Sequence, residues 1–209
     1  MFDDDRFMSE AVKCHWRVYS YTSRRLSAVP EMLMDAVRQN WVALAHADDG
    51  LRADHGIISE AVALNWEALL YAAEPLRRDR KLIEAGIAQN GLALQYACEE
   101  LRSDRSLVEI AIRQNGLAME FAPEELRADR ELALMACRSN RMALKHVDKA
   151  LHSDRDFLMQ AVQVDGMAVE FASEELKADK ILVSTAVRQD WRAVGFAADE
   201  INQDSSLLA

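Results

Sequence analysis

Stepping by 25 residues from Asp79 lands on Asp104, Asp129, Asp154, Asp179 and Asp204, and stepping backward lands on Asp54, Val29 and Asp4. Eight of these nine positions are Asp, with no insertion or deletion between any two of them. A fixed period of this length marks a solenoid: one short unit cannot bury its own apolar face, so stacked neighbours bury it jointly. With each Asp taken as slot 1, residues 4–203 divide into eight units starting at 4, 29, 54, 79, 104, 129, 154 and 179. Residues 1–3 and 204–209 are left as tails. Other slots keep the same register. Slot 23 is Leu from Leu26 to Leu176, then Ile201. Slot 8 is Ala apart from Gly86, and slot 15 is Ala apart from Val18. Slot 18 is Tyr, Phe or His, and slot 12 is Asn or Asp after His15.

The unit beginning at Asp104 shows what one repeat should be. Asp at slot 1 is a favoured N-cap and sets negative charge at the positive end of a helix. Leu107, Val108, Ala111 and Ile112 fall at slots 4, 5, 8 and 9. That spacing is one stripe of an α-helix and predicts a helix over slots 2–11. Asn115 at slot 12 then reads as the cap of a second helix over slots 13–19, burying Ala118, Met119, Phe121 and Ala122. Ser or Pro at slot 20, followed by Glu, predicts one further helical turn, with the slot-23 Leu plugging the seam to the next unit. Only seven Gly and three Pro occur in 209 residues, which disfavours a loop-rich or β-rich fold. The expected fold is an all-α solenoid of eight 25-residue helix-turn-helix repeats.

Units reading DRxLVxxAxxQNGLALxYAxEELRxD resemble the repeat family called "domain of unknown function 4116", most closely from Asp79 to Asp129 and from Asp154 to Asp190. The resemblance implies an all-helical fold that recurs in tandem in bacterial and protist proteins. It carries no established enzymatic activity and no catalytic residues. Units 1 and 2 depart most from the pattern, with Val29-Pro30 in place of the slot-1 Asp and Cys14-His15-Trp16 in place of the Gln-Asn-Gly turn. That end reads as a cap of the array.

Composition narrows the partners. A net charge of −10 repels phosphate backbones and anionic lipid heads, so no nucleic acid or membrane is expected. No run approaches the length and apolarity of a spanning helix, and the opening MFDDDRF is not a signal peptide. Cys14, Cys98 and Cys137 are odd in number and far apart, which indicates neither a zinc site nor a disulfide framework. A reducing, cytoplasmic setting is expected. No phosphate-binding, zinc-protease or serine-hydrolase motif occurs. His46 and His146 take the aromatic slot as substitutes in the core or at its edge, and His146 with Asp148 lacks a neighbouring nucleophile. Successive slot-1 carboxylates should stand one repeat apart, too far to share an ion. The expectation is a non-enzyme with no cofactor, no metal and no catalytic residue.

Three features point instead to a protein partner. All four tryptophans, Trp16, Trp41, Trp66 and Trp191, sit at slot 13, three of them in adjacent units; Trp is enriched at binding hot spots, although it also staples helix ends. The outward slots 6 and 7 turn apolar in units 5–7 with Ile110, Leu134, Met135 and Met159, suggesting an interface or a homodimer contact. Glu pairs recur at slots 21 and 22, as Glu99-Glu100, Glu124-Glu125 and Glu174-Glu175. They would form an acidic ridge able to meet a basic surface. The expected function is a protein-interaction scaffold that displays a curved helical surface. The alternative is an acidic inhibitor or immunity-type protein that blocks a basic site on a toxin, nuclease or other enzyme.

Overall fold

In the computed structural model, residues 5–23, 25–198 and 201 are described; the two tails, with Asp4 and Asp204, lie outside them. The fold is an all-α repeat solenoid with no strand among the described residues. The chain divides into two compact units, Met1–Leu101 with repeats 1–4 and Arg102–Ala209 with repeats 5–8. In the second unit the long helices are Arg105–Gln114, Arg130–Ser139, Arg155–Val164 and Lys180–Gln189. Each is ten residues long, fills slots 2–11 and packs on the next. The first unit repeats the arrangement with Asp5–Cys14, Pro30–Gln39, His55–Leu64 and Arg80–Gln89.

The expected caps form. The carboxylates of Asp79, Asp129, Asp154 and Asp179 accept the slot-3 and slot-4 amides of their own helices. Val29 offers no side-chain cap, and there Pro30 starts the helix instead, its missing N–H costing nothing at the first turn. Slot 12 has two roles. The Asn115 amide donates to Ala111 O at 2.8 Å, ending the first helix, and its Oδ1 accepts the Leu117 amide at 3.1 Å, starting the next. Its φ of −151° is ordinary extended backbone, so no left-handed glycine is needed at this corner.

The second helix differs from the expectation. It is a 3₁₀ helix over slots 13–18, as in Gly116–Phe121 and Gly166–Phe171, and not an α-helix over slots 13–19. A 3₁₀ helix has three residues per turn, which stacks side chains three apart in columns. Here the column of slots 13, 16 and 19 (Gly116, Met119, Ala122) is buried. Ala118 at slot 15 is buried beside it, while Phe121 is half-buried. Apolar residues at a spacing of three suit the tighter helix. The third element is one short α-turn, such as Glu124–Arg127 or Lys149–His152. In repeat 3 Pro75 shifts it to the 3₁₀ turn Leu76–Arg78. The slot-23 leucines sit at the seam as expected: Leu26, Leu51, Leu76 and Leu151 are buried, and Leu101, Leu126 and Leu176 are half-buried.

Backbone and side-chain bonds tie successive repeats together. Slot-20 amides donate to slot-24 carbonyls of the preceding repeat: Cys98 to Arg77, Asp148 to Arg127 and Ala198 to Lys177, each at 3.0 Å. A slot-11 side chain reaches back across the seam. Gln39 accepts the Trp16 amide at 3.0 Å and donates to Val12 O at 2.7 Å. Ser139 accepts the Gly116 amide at 2.9 Å. These bonds satisfy terminal groups that the helices leave open. Sequence reading assigned slot 11 no role.

Glycine at slot 13 of repeats 5 and 7 marks a close approach to the next repeat. A Cβ on Gly116 or Gly166 would stand 2.5 Å from Ala136 O or Ala186 O of the next repeat. Gly166→Ala is therefore expected to lose about 1–3 kcal/mol through forced displacement of the neighbouring helix. Asn115→Ala, which removes a cap without crowding, should lose about 1 kcal/mol. Urea denaturation followed by circular dichroism measures both; an unchanged midpoint for Gly166→Ala would refute the close seam.

Candidate functional site

The charged residues nearest the helix starts form a ladder across repeats. In the second unit Arg105 donates to Asp129 at 3.0 Å and Arg155 to Asp179 at 2.6 Å, with Arg130 bonded to Asp154 between them. In the first unit His55 bonds Asp79 at 2.9 Å. Asp79, Asp129, Asp154 and Asp179 thus each cap their own helix and bond the slot-2 side chain of the preceding repeat. The Arg155 guanidinium holds Asp179 below the ordinary carboxylate value against burial, helped by the Leu182 and Ile181 amides. Burial pushes Asp129 upward, but the Leu132 amide and Arg105 outweigh it and hold this carboxyl low as well.

The tryptophans divide into two kinds. Trp41 packs on Tyr71 of the next repeat with ring centroids 5.9 Å apart, and Trp66 packs on Tyr96 at 6.0 Å. Both are half-buried staples over a seam. Trp16 is half-buried, with the Arg17 guanidinium 5.6 Å from its ring centroid. Trp191 belongs to the second unit, outside this row, and is 72% exposed.

Ile110, Leu134, Met135 and Met159 lie on three consecutively packed helices of the second unit. Ile110 is exposed, and the other three are half-buried. The acidic ridge is not continuous. Glu124, Glu125, Glu174 and Glu175 are exposed in the second unit, and Glu99 and Glu100 in the first. Between the two second-unit pairs, repeat 6 carries Lys149 and Ala150 at slots 21 and 22. Here the structure brings Arg127, Lys145, His146, Lys149 and His152 around a cleft of about 630 Å³, with Glu124 and Asp148. This basic cleft can receive an anionic group. The recurrent Glu pairs do not signal it, although Lys149 breaks their pattern.

Of the His146–Asp148 pair weighed for catalysis, Asp148 is engaged in a helix cap. Asp148 accepts the Ala150 amide at 2.8 Å as the cap of a short helix, and His152 Nε2 bonds Leu144 O at 2.8 Å. Cys137 is buried, which pushes its thiol up to about 11 and keeps it protonated. Among the described residues no three His, Cys, Asp or Glu side chains converge as a metal site. No helix there is long and apolar enough to cross a membrane.

A family model described as "Domain of unknown function (DUF4116)" matches residues 54–102, 79–127, 104–152, 129–176 and 154–202. The chain belongs to the DUF4116 family. Each match of this DUF4116 model spans two repeats and begins on a slot-1 Asp, one repeat beyond the last, so its register is the register of the caps. Repeats 1 and 2, where Val29 and His15 depart from the pattern, lie before the first match. No curated protein and no solved structure matches the chain.

The DUF4116 ladder makes a prediction about acid. A carboxyl whose pKa is lowered on folding contributes stability above its unfolded value, near 4, and loses it as pH falls. Wild-type stability should therefore drop between about pH 5 and pH 3. Asp129→Asn with Asp179→Asn keeps the caps but loses the ionic partner. It should cost about 0.2–1 kcal/mol per site at pH 7 and flatten the acid loss. Urea midpoints across pH test this; an undiminished acid loss in the double variant would assign it elsewhere.

Proposed function

We propose that the chain is a non-enzymatic protein-interaction scaffold acting in the cytoplasm. The observation that carries this reading is a division of labour among positions. The residues that recur are consumed in construction: slot-1 Asp and slot-12 Asn or Asp cap helices, and the slot-11 side chains of Gln39, Gln89, Ser139 and Gln189 bridge seams. The outward slots are free to differ, and in repeats 5–7 they place Ile110, Leu134, Met135 and Met159 on neighbouring helices. Methionine on an outward face supplies soft, adaptable apolar contact. The half-open Trp41 and Trp66 rings offer a second, more rigid contact in the first unit. Free, widely separated cysteines accord with a reducing compartment.

The acidic-inhibitor reading needs an unbroken negative ridge to fill a basic site. Lys149 interrupts that ridge at slot 21 of repeat 6, with Lys145 and His152 beside it around the cleft, so the scaffold reading is preferred. A partner meeting this part of the second unit places acidic groups there.

The test compares wild type with Ile110→Glu/Met135→Glu by affinity capture from cells that express the protein, followed by direct binding to each purified candidate. The wild-type chain is expected to bind a protein that the double variant releases, with helical content unchanged. Retention of every partner by the double variant would remove this surface from the reading. Turnover of any substrate that tracks His146 would overturn it altogether.

A further inference from the structure

Repeats 5 and 7 carry Glu at slot 17, as Glu120 and Glu170, and at slot 21, as Glu124 and Glu174. Repeat 6, packed between them, carries Lys145 and Lys149 at the same two slots. Both lysines are exposed and line the cleft of about 630 Å³. The charge reversal therefore falls on one place in the fold.

That place exists elsewhere in the array, but smaller. In the first unit Asp49 and Arg52 of repeat 2 and Leu70, Tyr71 and Arg77 of repeat 3 line the equivalent groove, of about 280 Å³. There the slot-24 Arg77 is held by its own repeat: its Nε donates to Ala72 O and its Nη2 to Leu70 O, both at 3.0 Å. At repeat 6 slot 24 is His152, a shorter side chain that bonds Leu144 O at 2.8 Å. The larger cleft is also edged by unpaired cations. No hydrogen bond or ion pair among the described residues engages the side chain of Arg127, Lys145 or Lys149. Arg127 Nε is buried without a partner, as is Arg102 Nε at the same slot of repeat 4; the two lysines are what set repeat 6 apart. By contrast the slot-2 arginines of this unit, Arg105, Arg130 and Arg155, each pair with a carboxylate. Of the two carboxylates at the cleft, Asp148 is turned to the Ala150 amide at 2.8 Å, and Glu124 is exposed. Cations gathered without partners repel one another, so an anion among them is favoured.

We propose that this cleft binds a phosphomonoester. A phosphoryl group carries nearly two negative charges and three acceptor oxygens. Those match one guanidinium fork and two ammonium groups, and such charge-assisted bonds are the strong ones. The volume lies in the range of small-molecule sites, about 300–1,000 Å³, and admits the carrier of the phosphate with it. An extended polyanion fits less well. Glu120 and Glu125 of repeat 5 and Glu170 and Glu174 of repeat 7 flank the cleft in sequence register, and the chain as a whole has a net charge of −10. The phosphate is borne either by a phosphorylated side chain of a partner or by a small organic molecule; the first source rests on the scaffold reading, and the second does not.

Isothermal titration calorimetry on the full chain at constant ionic strength tests this. The probes are inorganic phosphate, phosphoserine and a short peptide carrying one phosphoserine, with acetate and the unphosphorylated peptide as controls. Each phosphate probe should bind 1:1, phosphoserine with a Kd of about 1 mM or below, and each control at least ten-fold more weakly. Lys145→Glu/Lys149→Glu gives repeat 6 the charges that repeats 5 and 7 carry at these slots, so circular dichroism should not change. Affinity for every phosphate probe should fall at least ten-fold. Arg188→Gln, at an exposed cation outside the cleft, and Ile110→Glu/Met135→Glu should leave it unchanged. A peptide that exceeds free phosphoserine ten-fold or more assigns the phosphate to a protein partner, and a smaller difference assigns it to a small organic molecule. A wild type that binds no phosphate overturns the proposal. So does acetate binding as tightly as phosphate, or an equal loss in Arg188→Gln. A single-stranded RNA oligonucleotide held more tightly than any monoester through the same lysines overturns it too. Partner capture that depends on Ile110 and Met135 while wild type ignores phosphate refutes the cleft and leaves the scaffold reading standing.

Discussion

The structure depends on burial shared between repeats. A unit of 25 residues holds one ten-residue helix, one 3₁₀ helix and a single further turn, and none of these can enclose an apolar side chain alone. Slots 4, 5, 8 and 9 of the long helix meet slots 15 and 16 of the 3₁₀ helix, and neighbouring repeats close the sandwich. This explains why the core of each compact unit is built from Leu, Ile, Val, Met and Ala, and why no polar residue is buried among the described positions. Ala at slots 8 and 15 keeps the helices close, and Gly116 and Gly166 bring the backbones of adjoining repeats nearly into contact.

Shared burial demands strict register, and the polar residues enforce it. Every element begins or ends on a group with a defined hydrogen bond. The slot-1 carboxylate fixes where the long helix starts, and the slot-12 side chain fixes both its end and the start of the 3₁₀ helix. The slot-20 amide anchors the third turn to the repeat before it. An inserted residue would displace one of these bonds and slide the apolar stripe off its neighbour. The constant period is the sequence record of that constraint. The slot-1 Asp and slot-2 Arg ladder adds a modest, pH-sensitive contribution along one edge, since exposed pairs stabilise little.

Because construction uses the recurrent residues, recognition falls to the positions that vary. The apolar outward slots of repeats 5–7, the basic cleft of repeat 6 and the half-open tryptophans of the first unit each depart from the repeat average. Trp41 and Trp66 serve both ends: each packs on the Tyr of the next repeat and remains partly exposed. Trp191 has the same slot but is exposed, so one residue type serves both as staple and as open surface.

The sequence by itself determined the repeat length, its register, the helix over slots 2–11, the caps at slots 1 and 12 and the apolar core except at slot 18, where Phe121 is half-buried and His46 is exposed. All of these follow from period, spacing and capping chemistry, which are local. Only the tertiary structure decided that the second helix is 3₁₀, because that choice depends on which columns of side chains meet the next repeat. Likewise, only it showed that slot-11 Gln and Ser bridge the seam, that slot-2 cations reach the following Asp, and that Arg127 joins the cations of repeat 6 around one cleft. Trp at slot 13 is a half-buried staple where a slot-18 Tyr packs on it and a solvent-facing ring at Trp191, and no property of the residue itself carries that information.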